Sequence, residues 1–587
     1  MRKGWQRAGA VVISYAALSV TATWPLARHF TTHAVGSAHW GSVELFYETP
    51  VNLWNLWWFR HAVIDLRQSP FECQTIFYPF GADLRYHTLA PLHGLVGVVL
   101  QSGLSLASTQ NLLLLLNLVA SGVAAYLLAR QLGLRARGSF LAGAIFAFSP
   151  GVFAHLYVGH FELLSTFWLP AGLLIFLRLI ECERMPWGKA VGLGLVFIGA
   201  AYTSFYYVVY LAELVGLAAI VGWKRSARRV VVKAMAVAAV VGCVGTAPVL
   251  WAFVGPDAPE PVRPTASDLD RFAGDVTAFF VPSFTHPLLA GPLTGVHDRI
   301  HHTWLGAGTR PVRFNPPQET TLFVGFSVLT MALCAIAWRR RLAASTGLAI
   351  VVAITFGVLA LGAHLRIYGT ATSVPLPGGL LPLIPLVGLA RAPGRCIVVV
   401  MLGMGILAGT GWEQIRLRVV RWGLIALLAM EYAATPLPLF STHLPEVYDR
   451  LAADPRSFAV LEIPFGLRDG LQAVGEPDDT QIFAQTRHRH PIVGGMVSRL
   501  SRDRWQALLT SPVIGSLVAL PEVASERLET DRSRGPSFFG QWQIKAIIVH
   551  PRARGSMQQQ YVERVLPIRA REDFADGSQL LWVGNQR

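Results

Sequence analysis

Apolar stretches of about 20 residues recur along the first three quarters of this sequence, from about residue 9 to about residue 438. An α-helix of about 20 residues is long enough to cross the hydrocarbon core of a bilayer. The composition agrees, because 53% of the 587 residues are hydrophobic, only 14% are charged and the mean hydropathy is +0.44. A soluble protein of this length hardly reaches such values. The repetition therefore predicts a polytopic α-helical membrane protein.

The net charge of +15 looks at first like that of a nucleic-acid-binding protein. Its distribution argues otherwise, because 20 of the Lys and Arg residues, with only three acids, lie in short turns between the apolar stretches. Outside these turns the chain is close to neutral. An excess of basic residues in short turns marks them as cytoplasmic, so we expect no nucleic-acid partner. The turns are residues 1–8, 130–138, 178–189, 223–233, 338–342 and 413–421.

The basic turns predict a topology of about 11 spans, with the N-terminus in the cytoplasm and the C-terminus outside. The apolar stretch at about 88–106 is not counted, because a span there would move the next basic turn to the outside. We expect it to form a re-entrant or interfacial helix in a long first external loop, residues 29–108. Further external loops are predicted at 254–319 and 363–394. The predicted spans lie near 9–28, 109–130, 138–157, 163–180, 188–203, 205–222, 230–253, 320–338, 343–362, 395–412 and 421–438.

The composition changes near residue 440. The transmembrane domain is predicted to occupy residues 1–439, and residues 440–587 read as a soluble α/β domain on the non-cytoplasmic side. Strand-like runs occur there at 458–464, 544–549 and 580–583. In the first external loop, the Trp-rich segment Asn52–His61 mixes aromatic and polar residues and is predicted to lie in the membrane interface.

Three acids in two predicted external segments lie where chemistry at the membrane surface would need them. Glu44 and Glu48 precede the Trp-rich segment, and Glu162 follows His160 at the outer end of a span. A carboxylate beside the membrane can act as a general base or bind a metal ion. It can equally be a solvated loop acid, and the sequence leaves both interpretations open.

Two arginines, Arg391 and Arg395, precede a predicted span on the outer side. The planar guanidinium group suits a phosphate, so a polyprenyl-phosphate head group is a plausible ligand. The alternative is that both residues anchor a helix at the interface. Weaker candidates of the same kind are Tyr86, His87, Arg310, Arg313 and Glu319.

The sequence contains no Walker motif, no GxSxG, no HExxH and no GxGxxG between a strand and a helix. Nucleotide hydrolysis and serine or zinc hydrolysis therefore have no motif to support them. The function classes that remain are chemistry on a lipid-linked substrate and transport.

The layout resembles the GT-C superfamily of integral-membrane glycosyltransferases, which includes protein O-mannosyltransferases, oligosaccharyltransferases and aminoarabinose transferases. In particular it resembles a poorly characterised bacterial branch. The similarity covers nearly the whole chain, with Glu48 and Glu162 at the places of the two acids found in such enzymes. One departure is that the first of those acids is typically Asp. Short segments that carry the likeness are 52–58, 76–81, 87–93, 159–162, 391–395 and 460–464.

The resemblance implies that a sugar is transferred, with inversion, from a polyprenyl-phosphate carrier to an unknown acceptor at the non-cytoplasmic face of a bacterial inner membrane. Glu48 and Glu162 would be the catalytic acids, with Glu48 activating the acceptor hydroxyl. Glu162 and His160 would position the acceptor or a divalent metal ion, and Arg391 and Arg395 would hold the donor phosphate. The substrate-binding set would also include Tyr86, His87 and Glu319. The rival hypothesis is a non-catalytic scaffold, or a lipid or polysaccharide transporter, on the same fold.

Overall fold

A helix overlaps each of the eleven predicted spans in the computed structural model of this chain. Arg310, one of the weaker candidates, lies outside the residues that the structure describes. The described residues are 2–40, 43–45, 47–222, 228–254, 265–304, 313–337, 344–384, 387, 390–470, 472–522 and 525–584.

Helices account for most of the described chain. In chain order they are α1 (Arg2–Ala22), α2 (Thr49–Arg60), α3 (Pro91–Leu100), α4 (Leu106–Gln131), α5 (Ala136–Ala147), α6 (Pro150–Tyr157), α7 (Trp168–Ile180), α8 (Trp187–Ala201), α9 (Phe205–Gly222), α10 (Arg228–Val254), α11 (Ala266–Arg271), α12 (Thr294–Ile300), α13 (Pro317–Thr320), α14 (Phe326–Ala337), α15 (Ala344–Ala360), α16 (Ile397–Gln414), α17 (Arg418–Glu431), α18 (Glu446–Ala452), α19 (Thr480–His488), α20 (Arg502–Thr510), α21 (Ile514–Ala519), α22 (Ser525–Gln541) and α23 (Met557–Val565).

The strands are short. In chain order they are β1 (His33–Val35), β2 (His39–Trp40), β3 (Val43–Glu44), β4 (Glu72–Cys73), β5 (Ala82–Asp83), β6 (His302–Thr303), β7 (Arg313–Phe314), β8 (His364–Ile367), β9 (Thr370–Pro375), β10 (Leu439–Ser441), β11 (Ala459–Ile463), β12 (Gly466–Asp469), β13 (Ala473–Gly475), β14 (Met496–Val497), β15 (Ile544–Val549), β16 (Ile568–Asp573) and β17 (Gln579–Val583).

Five helical segments among the described residues are long and apolar enough to cross a membrane. The ten residues of α3 are too few for that, in agreement with the exclusion of 88–106 from the spans. The five segments are Leu106–Gln131, Ala136–Tyr157, Phe161–Ile180, Arg228–Trp251 and Pro393–Gln414.

The chain divides into two compact units. Unit 1 consists of residues 1–46 and 111–440, and unit 2 of residues 47–110 and 441–587. This division differs from the predicted one, because residues 47–110 group with the C-terminal residues and not with the membrane-spanning helices.

Helix α16 is the most deeply buried long helix of unit 1, and it packs against α5, α14 and α15. A Cβ atom at Gly411 would lie 1.7 Å from the carbonyl oxygen of Met331 in α14. Only glycine allows the two backbones to come so close, as is common where helices pack within membranes.

Helices α5 and α6 together form one apolar segment that Pro150 divides. Proline lacks a backbone N–H and suits the first position of a helix, so α5 ends and α6 begins at this point. Helix α6 then extends to Tyr157 and carries His155 on its last turn.

The largest sheet of unit 2 has the strand order β11–β15–β17–β16. Strands β11 and β15 are parallel, whereas the other two pairs are antiparallel. Two parallel strands must be joined by a long crossover connection. Here that connection contains helices α19 to α22, which lie between β11 and β15 in the chain. The three predicted strand-like runs correspond to β11, β15 and β17.

The Trp-rich segment, predicted to lie in the membrane interface, has its two central rings buried in protein. Trp54 and Trp58 in α2 have no exposed surface and belong to the hydrophobic core of unit 2, together with the residues of β11 and β15. Their rings stack with centroids 5.6 Å apart, and the Trp54 indole N–H donates to Gln485 Oε1 at 2.7 Å. A protein core buries such rings as well as lipid does, so the amphipathic pattern alone could not distinguish the two.

Replacing Trp54 with alanine should therefore destabilise the protein by about 3–5 kcal/mol, because it leaves a large cavity in the core. Trp187→Ala is the matched control, since Trp187 on α8 is 63% exposed. Thermal unfolding of the purified protein in detergent measures both effects. Equal losses from the two substitutions would contradict the burial of α2.

Candidate active site

A buried ion pair joins two distant segments of unit 1. Both oxygens of Glu319 accept hydrogen bonds from Arg395, Oε2 from Nε at 2.8 Å and Oε1 from Nη2 at 2.5 Å. The side chains are 4% and 17% exposed, respectively. This two-pronged geometry is the strongest form of an arginine–carboxylate contact.

Local backbone structure brings the two residues together. Glu319 lies in the short helix α13, which starts at Pro317, and Arg395 lies in the 3-10 turn Pro393–Cys396 that leads into α16. A Cβ atom at Gly394 would lie 1.8 Å from the carbonyl oxygen of Glu319. Glycine at position 394 is therefore required for this approach of the two backbones.

Two histidines lie against the ion pair. The Nδ1 atoms of His155 and His160 are 2.8 Å apart and share a hydrogen bond, and the two rings stack with centroids 5.1 Å apart. His155 Nε2 lies 4.0 Å from Glu319 Oε2, and His160 Nδ1 lies 3.9 Å from Glu319 Oε1. Both histidines are buried.

These neighbours determine the charge of Glu319. Burial alone would raise the pKa of its carboxyl group, but the charge and the hydrogen bonds of Arg395, together with His155 and His160, hold that pKa well below its ordinary value. Glu319 is therefore ionised at neutral pH and is a poor proton acceptor.

Glu162 lies in the turn Phe161–Leu164, immediately before α7, and it is 4% exposed. It is close enough to Arg395 and to Tyr207 to interact electrostatically with both. Tyr207 in turn donates a hydrogen bond to the carbonyl oxygen of Leu163. A second carboxylate thus shares the electrostatic environment of the ion pair.

A small pocket with a volume of about 20 Å³ opens onto this group. The guanidinium carbon of Arg395 lies 4.5 Å from the ring centroid of Tyr206 at its wall. Phenolic and aliphatic side chains make up most of the remaining lining, a mixture typical of pockets for amphipathic ligands. The lining residues are Gly151, Val152, His155, Leu163, Thr166, Tyr206, Tyr207, Tyr210, Arg395, Ile397 and Val398.

His155, His160 and Glu319 each offer a ligand atom, and these atoms lie within 4.8 Å of one another, a spacing that can hold a metal ion. In the observed arrangement, however, both Glu319 oxygens accept from Arg395 and the two imidazoles bond to each other. The positive charge next to Glu319 is already supplied by Arg395, so we derive no chemical step through a metal ion.

Of the eight predicted site residues, Glu162, His160, Glu319 and Arg395 lie together in unit 1. Arg391 is also in unit 1, half-buried, with its guanidinium carbon 5.6 Å from the ring centroid of Phe272.

The other three predicted residues belong to unit 2. Glu48 is half-buried directly before α2, and Tyr86 is half-buried. The ring nitrogens of His87 contact Asn55 Oδ1 at 2.9 Å and the backbone N–H of Ser498 at 3.1 Å. Burial lowers the pKa of His87 to about 3, so this imidazole is neutral and joins two segments of unit 2.

The site also contains residues that were not predicted, above all His155 and Tyr206. His155 lies five residues before His160 in a group of histidines, which was a usable signal. No sequence signal marked Tyr206, because its contact with Arg395 joins positions that are far apart in the sequence.

A family model described as "Domain of unknown function (DUF6311)" matches residues 52–433. Comparison of the sequence with curated proteins finds no match.

Solved structures match over nearly the whole chain. The arabinofuranosyltransferase AftD from Mycobacteria superimposes with a TM-score of 0.59 at 15% identity, over 98% of this chain and 40% of that one. The oligosaccharyltransferase of Archaeoglobus fulgidus in the apo form gives a TM-score of 0.50 at 14% identity, over 93% of this chain and 70% of that one. The oligosaccharyltransferase AglB of Archaeoglobus fulgidus, in complex with an inhibitory peptide and a dolichol-phosphate, gives a TM-score of 0.50 at 12% identity, over 94% of this chain and 70% of that one.

These similarities confirm the predicted resemblance to the GT-C superfamily at the level of the fold. Together with the helices of spanning length, they identify a multi-pass membrane protein. The chain spans less than half the length of AftD.

Breaking the ion pair from either side should destabilise the protein more than removing it entirely. Arg395→Met leaves Glu319 buried without its countercharge, and Glu319→Gln leaves Arg395 without its countercharge. Each substitution should lower the free energy of unfolding by about 3–5 kcal/mol. The double substitution should be less destabilising than the sum of the two, as measured by thermal unfolding in detergent.

The exposed pair Arg487–Asp449 is the control, because its side chains are 57% and 52% exposed. Asp449→Ala should change stability by at most about 1 kcal/mol. Additive losses for Glu319 and Arg395 would show that the two charges are not coupled.

Proposed function

This chain belongs to the DUF6311 family, and we propose that it is a membrane glycosyltransferase that moves a sugar from a polyprenyl-phosphate donor to an acceptor on the non-cytoplasmic face. The observation that carries the proposal is the ion pair Glu319–Arg395 at the wall of the unit 1 pocket, with His155, His160 and Glu162 beside it. The shared fold supports the proposal, since its structural neighbours include glycosyltransferases.

Arg395 is suited to hold a phosphate in this pocket. A guanidinium group has five N–H donors, and Glu319 accepts from only two of its nitrogens. The remaining donors are available to an anion, while Glu319 fixes the orientation of the group. Arg391 would add a second guanidinium group, and a dolichol-phosphate is bound by the structural neighbour AglB.

In the proposed reaction, an acceptor hydroxyl attacks the anomeric carbon of the sugar from the side opposite the phosphate. The new bond forms between the hydroxyl oxygen and that carbon, and the carbon–oxygen bond to the phosphate breaks. The polyprenyl phosphate leaves with the electron pair, and its negative charge is stabilised by Arg395 and Arg391.

The hydroxyl proton must go to a carboxylate. Glu319 is a poor choice, because Arg395 holds its pKa well below the ordinary value. The resemblance to GT-C glycosyltransferases implies that Glu48, the candidate base from the first predicted loop, is the proton acceptor. Glu162 and His160 would then orient the acceptor.

The test is sugar transfer in proteoliposomes that contain the purified protein. Synthetic polyprenyl-phosphate pentoses and hexoses serve as donors, a cell-envelope extract serves as acceptor, and mass spectrometry measures the polyprenyl phosphate released. Glu48→Gln should lower the rate by about 100-fold or more, because it removes the proton acceptor without changing the size of the side chain.

Glu44→Gln is the matched control, since Glu44 is an exposed acid in β3, four residues before Glu48. It should leave the rate nearly unchanged. Undiminished transfer by Glu48→Gln would rule out the role of that residue. Movement of the lipid across the bilayer without cleavage of the sugar–phosphate bond would instead favour a transporter.

A further inference from the structure

A second group of buried titratable side chains lies in unit 2, at the end of its parallel strand pair. Glu462 is the fourth residue of β11, and His550 directly follows β15. Because the two strands are parallel, their carboxyl ends meet at one edge of the sheet. Ligands of open α/β sheets bind at such edges.

Tyr448, from α18, completes the group. Its hydroxyl donates to Glu462 Oε2 at 2.7 Å, and His550 Nε2 lies 2.7 Å from the same oxygen. The Glu462 side chain is 2% exposed and that of His550 is 16% exposed, so the group reaches the surface through the imidazole.

The other carboxylate oxygen, Glu462 Oε1, is buried and has no hydrogen-bond partner among the described residues. A buried carboxylate oxygen normally accepts at least one hydrogen bond, and leaving it without one is costly. Glu462 Oε1 can therefore accept a hydrogen bond from a donor outside the described part of unit 2.

His488 presents the opposite case, a buried hydrogen-bond donor without an acceptor. Its Nδ1 accepts a hydrogen bond from the backbone N–H of His490 at 3.0 Å, so this nitrogen carries no proton. Burial lowers the pKa of His488 to about 3, so the ring is neutral and its proton is on Nε2. That N–H group is buried and also has no partner among the residues the structure describes.

The ring of Tyr448 connects the two unsatisfied groups. It stacks on His488 with centroids 5.9 Å apart and a 17° angle between the planes, while its hydroxyl bonds to Glu462. One acceptor and one donor thus lie next to the same aromatic side chain.

We infer that this edge of the unit 2 sheet, formed by Tyr448, Glu462, His488 and His550, is a binding site for a hydroxyl-rich ligand of the saccharide class. A saccharide offers several hydroxyl groups that both donate and accept, so its hydroxyls can donate to Glu462 Oε1 and accept from His488 Nε2–H. An anion would be opposed by Glu462, and a cation would find no acceptor at His488. The site also gives a role to the segment Val460–Pro464, which the transfer site does not use, and the inference depends on no step of the proposed transfer.

The test is ligand-observed saturation-transfer NMR on the full-length protein in detergent, without any lipid donor. The probes are the methyl glycosides of mannose, glucose and arabinofuranose. At least one should bind, and Glu462→Gln should weaken its binding at least tenfold. Glu572→Gln, which removes a charge from the exposed pair with Arg450 on the same sheet, should change the binding less than twofold.

Thermal unfolding of each variant shows whether unit 2 still folds. Should Glu462→Gln fail to fold, His488→Phe provides the same test, because it removes the donor and keeps an aromatic ring next to Tyr448. The inference is overturned if no glycoside binds, or if a folded variant binds as tightly as the original protein. Since no transfer is measured, loss of activity in Glu48→Gln would not bear on this result.

Discussion

The arrangement of the candidate active site depends on one interaction, the buried ion pair between Glu319 and Arg395. Two charges inside a protein are stable only when each satisfies the other, and here both carboxylate oxygens are used. The pair requires glycine at position 394 and brings α13 against the start of α16. It also explains why two histidines can lie 4 Å or less from a carboxylate in a buried pocket, since the negative charge is already balanced.

The two units contain polar centres of different character. In unit 1 the carboxylate of Glu319 is fully paired with Arg395, so the remaining guanidinium donors of Arg395 are the groups that can bind an anion. In unit 2 the carboxylate of Glu462 is only half satisfied, because Tyr448 and His550 share one of its oxygens. Burial alone would lower the pKa of His550, but Glu462 raises it above the ordinary value. The first arrangement suits an anion and the second suits a neutral hydroxyl, which is consistent with the proposed transfer of a sugar from a lipid phosphate.

Much of the fold could be predicted because hydropathy and charge are local properties. Helices lie within the apolar stretches, the run at 188–222 divides into α8 and α9, and β11 lies within the predicted strand at 458–464. The surroundings of the Trp-rich segment could not be predicted, because its pattern shows that the rings are buried but not whether protein or lipid buries them. Glu162, His160 and Arg395 could be selected by residue type and position, whereas the pairing of Glu319 with Arg395 joins residues 76 positions apart and leaves no local mark.

Photo-crosslinking with a benzophenone-bearing polyprenyl phosphate is the most direct test of the claim that the unit 1 pocket binds the lipid phosphate. The account predicts labelled peptides that contain the pocket residues Tyr206, Tyr210 or Ile397, with labelling abolished by excess unmodified polyprenyl phosphate. Labelling confined to peptides outside the pocket lining, or labelling that the competitor does not reduce, would contradict it.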